Sequence, residues 1–128
     1  MHSILLTGGS GFIGTNACNY FSSIGHDVLN IDISRPRDPE CKSNFSQADI
    51  CCYDRISDLM HDFQPEYIIH LAARTDLSGR SLTDYSANIE GVENLVKISN
   101  NIPTLRRVIY ASSRLVCKIG YQPKSYND

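Results

Sequence analysis

The stretch that decides the fold is residues 7–14, which read TGGSGFIG. Its glycines form two overlapping patterns, Gly9-x-Gly11-x-x-Gly14 and Gly8-x-x-Gly11-x-x-Gly14. An apolar run at residues 3–6 precedes them and a helical repeat of apolar residues follows, so the turn joins a strand to a helix. Such glycines permit a tight turn, a close approach of backbone N–H groups to a pyrophosphate, and packing of the helix on the strand. No Lys-Ser/Thr pair follows the last glycine, which excludes a Walker loop.

Strand and helix patterns alternate along the rest of the chain. The strand patterns fall at residues 3–6, 28–33, 45–48, 67–73 and 107–111. Because residues 67–73 are nearly all apolar, we expect that strand to be covered on both faces. The order of the patterns predicts an α/β fold, a Rossmann-type doubly wound parallel sheet of about five strands with helices on both faces. We expect residues 1–111 to form one dinucleotide-binding domain and residues 112–128 to form a polar, poorly ordered tail.

Apolar residues at helical spacing mark the helices. In the first helix they are Ile13, Ala17, Tyr20, Phe21 and Ile24. In the second they are Ile56, Leu59, Met60 and Phe63, and in the long third helix Tyr85, Ile89, Val92 and Val96. Pro65 ends the second helix, because proline removes a backbone donor and clashes with the preceding turn.

Composition restricts the class of protein. With 41% hydrophobic and 20% charged residues and a net charge of −2, the 128-residue chain has no basic surplus for nucleic acid. No apolar run approaches the roughly 20 residues of a membrane span, and the first residues do not resemble a signal peptide. The cysteines form no C-x-x-C pair or Cys/His cluster and are Cys18, Cys41, Cys51, Cys52 and Cys117. We therefore expect a cytoplasmic protein with reduced thiols, no metal site and no membrane or nucleic-acid partner.

A carboxylate follows the glycine turn at the sequence distance that is typical of a dinucleotide-binding unit. Asp32 ends the second strand, 18 residues beyond Gly14. A carboxylate there accepts hydrogen bonds from the ribose hydroxyls of NAD and repels the additional phosphate of NADP. Arg35 and Arg37 follow closely and could serve that phosphate, so NADP stays open as the less favoured cofactor. The pattern predicts NAD.

Six short motifs now stand in order along the chain. They are TGGSGFIG at 7–14, Asp32, Asp-Ile at 49–50, HLAA at 70–73, the helix motif Asn88-x-x-Gly91-x-x-Asn94-Leu95, and Ala-Ser-Ser at 111–113. Together they resemble the extended short-chain dehydrogenase/reductase family, the NAD-dependent sugar-nucleotide epimerases and dehydratases (UDP-glucose 4-epimerase-like). The resemblance covers nearly the whole chain and corresponds to the amino-terminal half of such an enzyme.

The resemblance implies a set of site residues. The cofactor-binding residues are Gly8, Gly11, Phe12, Ile13, Gly14, Asp32, Asp49, Ile50, Leu71, Ala72, Ala73, Asn88 and Ser112. Asp49 is expected to accept from the adenine amino group and Ile50 to pack on the ring, while small side chains at 71–73 leave room for the middle of the cofactor. Ser113 matches the catalytic hydroxyl, which hydrogen-bonds the reacting oxygen of the sugar. His70 is interpreted as a buried, hydrogen-bonded strand residue outside the chemistry.

The chain departs from the family in its acid/base pair. The family uses a tyrosine with a lysine four residues on, and that cation lowers the phenol pKa. No such pair follows Ser113, since Tyr121 and Lys124 are three apart. We therefore expect an amino-terminal half, without the later strands and substrate lobe, that binds NAD but does not turn over a nucleotide-sugar. A non-catalytic NAD(P)-binding regulatory module and an NADP-dependent reductase remain the alternatives.

Two further expectations concern the reaction and the assembly. Dehydratases of the family carry Asp-Glu after the catalytic hydroxyl, where this chain has Arg114 and Leu115, which favours an epimerase, decarboxylase or reductase parent. An unpaired edge at strand 107–111 invites pairing with a second chain. We expect a homodimer or edge-paired oligomer, formed through that strand or through the helix at 85–96.

Overall fold

The computed structural model describes residues 1–38 and 44–113. Its sheet has five strands in the order β3-β2-β1-β4-β5, and every neighbouring pair is parallel. The strands are β1 (Ser3–Thr7), β2 (Asp27–Asp32), β3 (Phe45–Gln47), β4 (Tyr67–His70) and β5 (Arg107–Tyr110). The chain runs outward from β1 to β3 and then returns to the other side of β1, which is a doubly wound topology. The predicted fold class is confirmed.

Three α-helices connect the strands and cover the sheet. They are α1 (Phe12–Ser23), α2 (Tyr53–Phe63) and α3 (Ser86–Ser99), and a short 3₁₀ helix at Leu82–Tyr85 directly precedes α3. On one face α2 and α3 bury Leu5, Ile31 and Ile68. On the other face α1 packs through Cys18 on Ile4, Leu6 and Val28. Within the described parts of the chain, no helix is both long and apolar enough to cross a membrane.

The helical repeats predict the helices correctly and mark the buried face of α2 through Ile56 and Met60, but they do not mark the buried faces of α1 and α3. In α1 the repeat residues Ile13 and Tyr20 are exposed, whereas Gly14 and Cys18 are buried. In α3 the repeat residue Val96 is 43% exposed, whereas Gly91, Leu95 and Ile98 are buried. Both buried faces contain a glycine, which lets each helix approach its neighbours closely. A second apolar stripe therefore remains on the outer side of α1 and of α3.

Strand β4 is shorter and less covered than expected. It ends at His70, and Leu71 already lies beyond the sheet. On the α1 side, Ile69 is only half-buried and its partner Ile109 in β5 is 52% exposed, because α1 packs on β1 and β2. The expectation of full cover on both faces is wrong for this strand.

Most of the carboxy-terminal tail lies beyond the residues that the structure describes. Its first two residues, Ser112 and Ser113, are exposed. Residues 114–128, and with them Arg114, Tyr121 and Lys124, lie beyond the described residues.

Candidate functional site

The glycine turn lies at the carboxyl end of β1, where the strand order reverses. Gly8 has φ of +72°, and a Cβ on it would lie 2.6 Å from the backbone nitrogen of Ala72. Its N–H donates to the carbonyl of Ile31 at 2.9 Å, and the N–H of Gly11 donates to the carbonyl of Gly8 at 3.2 Å. The turn is therefore hydrogen-bonded to β2 on one side and packs closely against the segment after β4 on the other side.

The first turn of α1 packs directly on this glycine turn. A Cβ on Gly14 would overlap the carbonyl oxygen of Gly8 and the Cα of Gly9. The N–H of Thr15 donates to the carbonyl of Gly11 at 2.9 Å and so closes the first helical turn. This close approach is what the glycine spacing predicts.

The amino terminus of α1 is open to an anion. Gly11 occupies the N-cap position, and among the described residues no side chain caps it and no acid stands in the first turn. The first backbone N–H groups of a helix have no partner within the helix, and the helix dipole adds about half a positive charge there. Phe12 and Ile13 are 90% and 66% exposed. This end can accept a phosphate group without first losing a protein contact.

Asp32 is held rigidly beside the turn. Its Oδ2 accepts from the N–H of Ser10 at 3.0 Å, and its Oδ1 accepts from the N–H of Ser34 at 2.9 Å. A carboxylate has about four acceptor positions, so these two bonds leave capacity for further donors. The predicted ribose-binding carboxylate and the predicted phosphate-binding turn are thus directly bonded to each other.

Two residues next to Asp32 were missed by the motif analysis. The hydroxyl of Ser10 donates to the carbonyl of Ser34 at 2.8 Å and accepts from Nδ2 of Asn30 at 3.2 Å. Asn30 is fully buried, and its Oδ1 has no hydrogen-bond partner in the described part of the chain. The sequence signal is an amide between apolar residues in the middle of the strand DVLNID.

The segment around Asp49, which connects β3 to α2, lies at the same carboxyl end of the sheet. Oδ1 of the exposed Asp49 accepts from the N–H of Cys51 at 2.9 Å. Ile50 is 5% exposed and lies against Gly91 of α3, where no Cβ fits. Asn94 of α3 donates to the carbonyls of Ile50 at 3.2 Å and Cys51 at 3.0 Å. The helix motif of α3 therefore anchors this segment, while the adenine contacts of Asp49 and Ile50 stay predictions.

The segment after β4 is attached at both of its ends. The N–H of Leu71 donates to the carbonyl of Thr7 at 2.9 Å. At the other end Asn88 accepts from the N–H of Arg74 at 2.7 Å and donates to its carbonyl at 3.0 Å. These bonds hold Leu71, Ala72 and the exposed Ala73 over the glycine turn, and the cofactor-binding role of Asn88 stays a prediction.

His70 has the structural role that the sequence indicated. It is 4% exposed, and its Nδ1 lies 2.6 Å from Oγ1 of Thr7. Burial lowers the pKa of His70, because desolvation disfavours the charged imidazole. The contact between this imidazole and the buried hydroxyl of Thr7 links the ends of β1 and β4.

A loop that the motifs did not predict follows this segment. The guanidinium of Arg74 donates to both carboxylate oxygens of Asp76, at 2.7 and 3.1 Å, and lies 5.2 Å from the ring centroid of Tyr85. The Arg74 side chain holds the pKa of Asp76 well below its usual range. Ser81 and Asp84 then form a capping box at the 3₁₀ helix, a signal that is visible in the sequence.

The serines after β5 reach the same edge of the sheet. The N–H of Ala111 donates to the carbonyl of His70 at 3.0 Å, and the exposed Ser112 and Ser113 follow. Ser113 therefore lies at the carboxyl end of the sheet, and its catalytic role stays a prediction. Among residues 1–38 and 44–113, no group of His, Cys, Asp and Glu is arranged to hold a metal ion.

Known proteins share both the sequence and this architecture. Residues 4–125 match the model of the NAD dependent epimerase/dehydratase family. A dTDP-glucose 4,6-dehydratase of Haemophilus influenzae is 33% identical, and the match covers 79% of this chain and 34% of that protein. A UDP-glucose 4-epimerase of Klebsiella pneumoniae is 30% identical, with 94% of each protein covered.

Solved structures agree with the sequence relatives. The UDP-glucose-4-epimerase of Stenotrophomonas maltophila, with bound NAD and formylated UDP-arabinopyranose, superposes with a TM-score of 0.75 at 26% identity. That match covers 91% of this chain and 38% of the epimerase. A probable dehydratase of Sinorhizobium fredii is covered to 25%, so this chain spans about a quarter to a third of the two dehydratases. The chain belongs to the NAD dependent epimerase/dehydratase family.

Proposed function

We propose that this chain binds NAD(H) and is the cofactor-binding part of a sugar-nucleotide epimerase-type enzyme. The observation that carries the proposal is the bond between the N–H of Ser10 and Asp32, because it joins the uncapped start of α1 to a fixed carboxylate. A dinucleotide needs both features side by side, one for its pyrophosphate and one for its adenosine ribose.

The shape of the turn fits such a ligand. A Cβ at Gly8, Gly9 or Gly14 would overlap neighbouring protein atoms, so the turn can pack this closely only without side chains at these positions. Asp32 retains acceptor capacity for the ribose hydroxyls, whereas a 2′-phosphate would meet its negative charge. The exposed Arg35 and Arg37 could oppose that repulsion, which makes NADP the second cofactor to be tested.

NAD, when bound, would supply the hydride-transfer chemistry of the reaction. The chain's own contributions would be positional. Leu71, Ala72 and Ala73 would leave room for the middle of the cofactor. The hydroxyl of Ser113 would hydrogen-bond the reacting oxygen of a nucleotide-sugar.

The substrate class follows from the relatives, whose names state UDP- and dTDP-sugars. An epimerase is favoured over a dehydratase because Arg114 and Leu115 stand where dehydratases of the family carry acidic residues.

No tyrosine up to Tyr121 has a lysine four positions later. We therefore propose that the 128-residue chain binds cofactor without turning over a nucleotide-sugar. Steady turnover of UDP-glucose or dTDP-glucose by the purified chain would overturn this part.

Calorimetric titration with NAD and NADP tests the cofactor. We expect the chain to bind NAD more tightly than NADP, and Asp32→Asn to weaken NAD binding about tenfold or more, since bonds to a charged acceptor are lost. Asp27→Asn is the matched control, because Asp27 is an exposed aspartate at the opposite end of the same strand. No binding of NAD by the wild-type chain, or equal binding by Asp32→Asn, would refute the proposal.

We also propose that the chain self-associates. The outer stripe of α3 exposes Ile89 to 41% and Val96 to 43%, and β5 is an edge strand with Ile109 exposed to 52%. Burial of such apolar surface and pairing of the strand edge both favour a second copy as partner. A monomeric mass by light scattering at high micromolar concentration would contradict this.

The thiols support the cytoplasm as the compartment. Within the part of the chain that the structure describes, Cys51 and Cys52 form no disulfide, and Cys52 is exposed. Exposed free thiols persist in a reducing environment. Alkylation of Cys52 in protein from rapidly quenched cells is the expected result, and an oxidised thiol would contradict it.

A further inference from the structure

We infer that Ser10 and Asn30 are positioning residues that set the preference for NAD over NADP by fixing the direction of the Asp32 carboxylate. The inference rests on the proposed binding of NAD at this site. It starts from a closed ring of three hydrogen bonds among Ser10, Asp32 and Ser34. The two N–H groups hold the carboxylate at 3.0 and 2.9 Å, and the Ser10 hydroxyl closes the ring on the Ser34 carbonyl at 2.8 Å.

The ring fixes the carboxylate because each of its oxygens is bonded to a different backbone position. One position, Ser10, belongs to the glycine turn, and the other, Ser34, belongs to the exposed segment after β2. The Ser10 hydroxyl ties these two positions together. The side chain of Gln47 also donates to the carbonyl of Ile33 at 2.9 Å, so the segment keeps one tether if the ring opens.

Asn30 orients the hydroxyl that closes the ring. Its Nδ2 donates to Oγ of Ser10, so the Ser10 proton is left to point towards the Ser34 carbonyl. Asn30 is fully buried, and its other side-chain atom, Oδ1, lies against Gly9 without a hydrogen-bond partner in the described residues. An apolar residue would fill this position without burying an unpaired oxygen. The amide therefore contributes orientation rather than packing.

A fixed carboxylate discriminates better than a mobile one. When its direction is set in advance, the acceptor positions left over meet two ribose hydroxyls without further loss of side-chain freedom. A 2′-phosphate in the same place meets a charge that cannot rotate away. If the ring is opened, NAD loses a preorganised acceptor and NADP loses part of the repulsion, so the two affinities approach each other.

The test compares Ser10→Ala with Ser10→Thr, which retains the hydroxyl, by calorimetric titration of the full 128-residue chain with NAD and NADP. Ser23→Ala is the matched control, because the Ser23 hydroxyl donates to the carbonyl of Tyr20 at 2.8 Å on the exposed surface of α1. We expect Ser10→Ala to weaken NAD binding about three- to tenfold, the loss of one net hydrogen bond, and to reduce the NAD/NADP affinity ratio by at least as much. Ser10→Thr and Ser23→Ala should retain the wild-type ratio.

The outcomes separate this inference from the proposed function. If the wild-type chain prefers NAD through Asp32 but Ser10→Ala keeps the same ratio, or weakens both cofactors equally, the inference is wrong and the proposed function stands. If the wild-type chain does not bind NAD, both are wrong. Should Ser10→Ala fail to fold, Asn30→Leu decides, since it removes the Nδ2 donor that orients the Ser10 hydroxyl and fills the buried position with carbon. A reduced NAD/NADP affinity ratio then supports the inference, and an unchanged ratio overturns it.

Discussion

Gly8 offers the sharpest test of how the site is built. Gly8→Ala places a Cβ at a residue with φ of +72°, 2.6 Å from the nitrogen and 2.8 Å from the Cα of Ala72. The left-handed conformation alone costs roughly 1–2 kcal/mol for an L-residue. The overlap with backbone adds about 1–3 kcal/mol, the usual range for overpacking, because the segment after β4 must move. We therefore expect the free energy of unfolding to fall by about 2–5 kcal/mol.

Gly25 provides a matched control within the same chain. Its φ is +86°, and a Cβ there would meet no atom within 4 Å. Gly25→Ala therefore measures the conformational cost by itself, about 1–2 kcal/mol. Both variants are compared by urea denaturation monitored by circular dichroism. If Gly8→Ala costs no more than Gly25→Ala, the contact between the glycine turn and the segment after β4 is not a constraint, and the reasoning is refuted.

Three further predictions concern stability. Leu95→Ala should lower the free energy of unfolding by about 2–5 kcal/mol because it opens a cavity in the core, whereas Val96→Ala, on the outer stripe of α3, should change it by less than about 0.5 kcal/mol. Asn94→Ala removes two bonds to the Asp49 segment and should cost about 1–3 kcal/mol in the same urea assay; an unchanged midpoint would contradict this anchoring role. The side chain of His2 lies 3.0 Å from the Glu66 carboxylate, and this hydrogen bond lowers the pKa of Glu66 in the folded chain. The bond therefore stabilises the fold at pH values above the pKa of Glu66 in the unfolded chain. This stabilisation is lost as the pH falls through the pKa of Glu66 in the folded chain. In Glu66→Gln the free energy of unfolding should therefore fall less steeply below about pH 4 than in the wild-type chain. Urea titrations at several acidic pH values that show the same fall for both chains would count against this prediction.

Local patterns were sufficient for the elements and for their order. Hydrophobic repeats depend on the geometry of a single helix or strand, so they predict α2 and the five strands without knowledge of their neighbours. The same patterns could not choose between two apolar stripes on one helix. In α3 the stripe of Val96 repeats as regularly as that of Leu95, yet only Leu95 is buried. That choice depends on which surface of the helix meets the sheet.

The sequence by itself determined the glycine turn, the carboxylate Asp32 after the second strand and the family resemblance, because each is written in a short stretch with a fixed spacing. Only the tertiary structure decided that Ser10 bonds that carboxylate, that Asn30 bonds the Ser10 hydroxyl, and that Gly8 lies beneath Ala72. These partners are 20 to 64 residues apart, and they meet because β1 lies between β2 and β4 in the sheet. Strand order is a property of the folded sheet as a whole, and no local period in the chain encodes it.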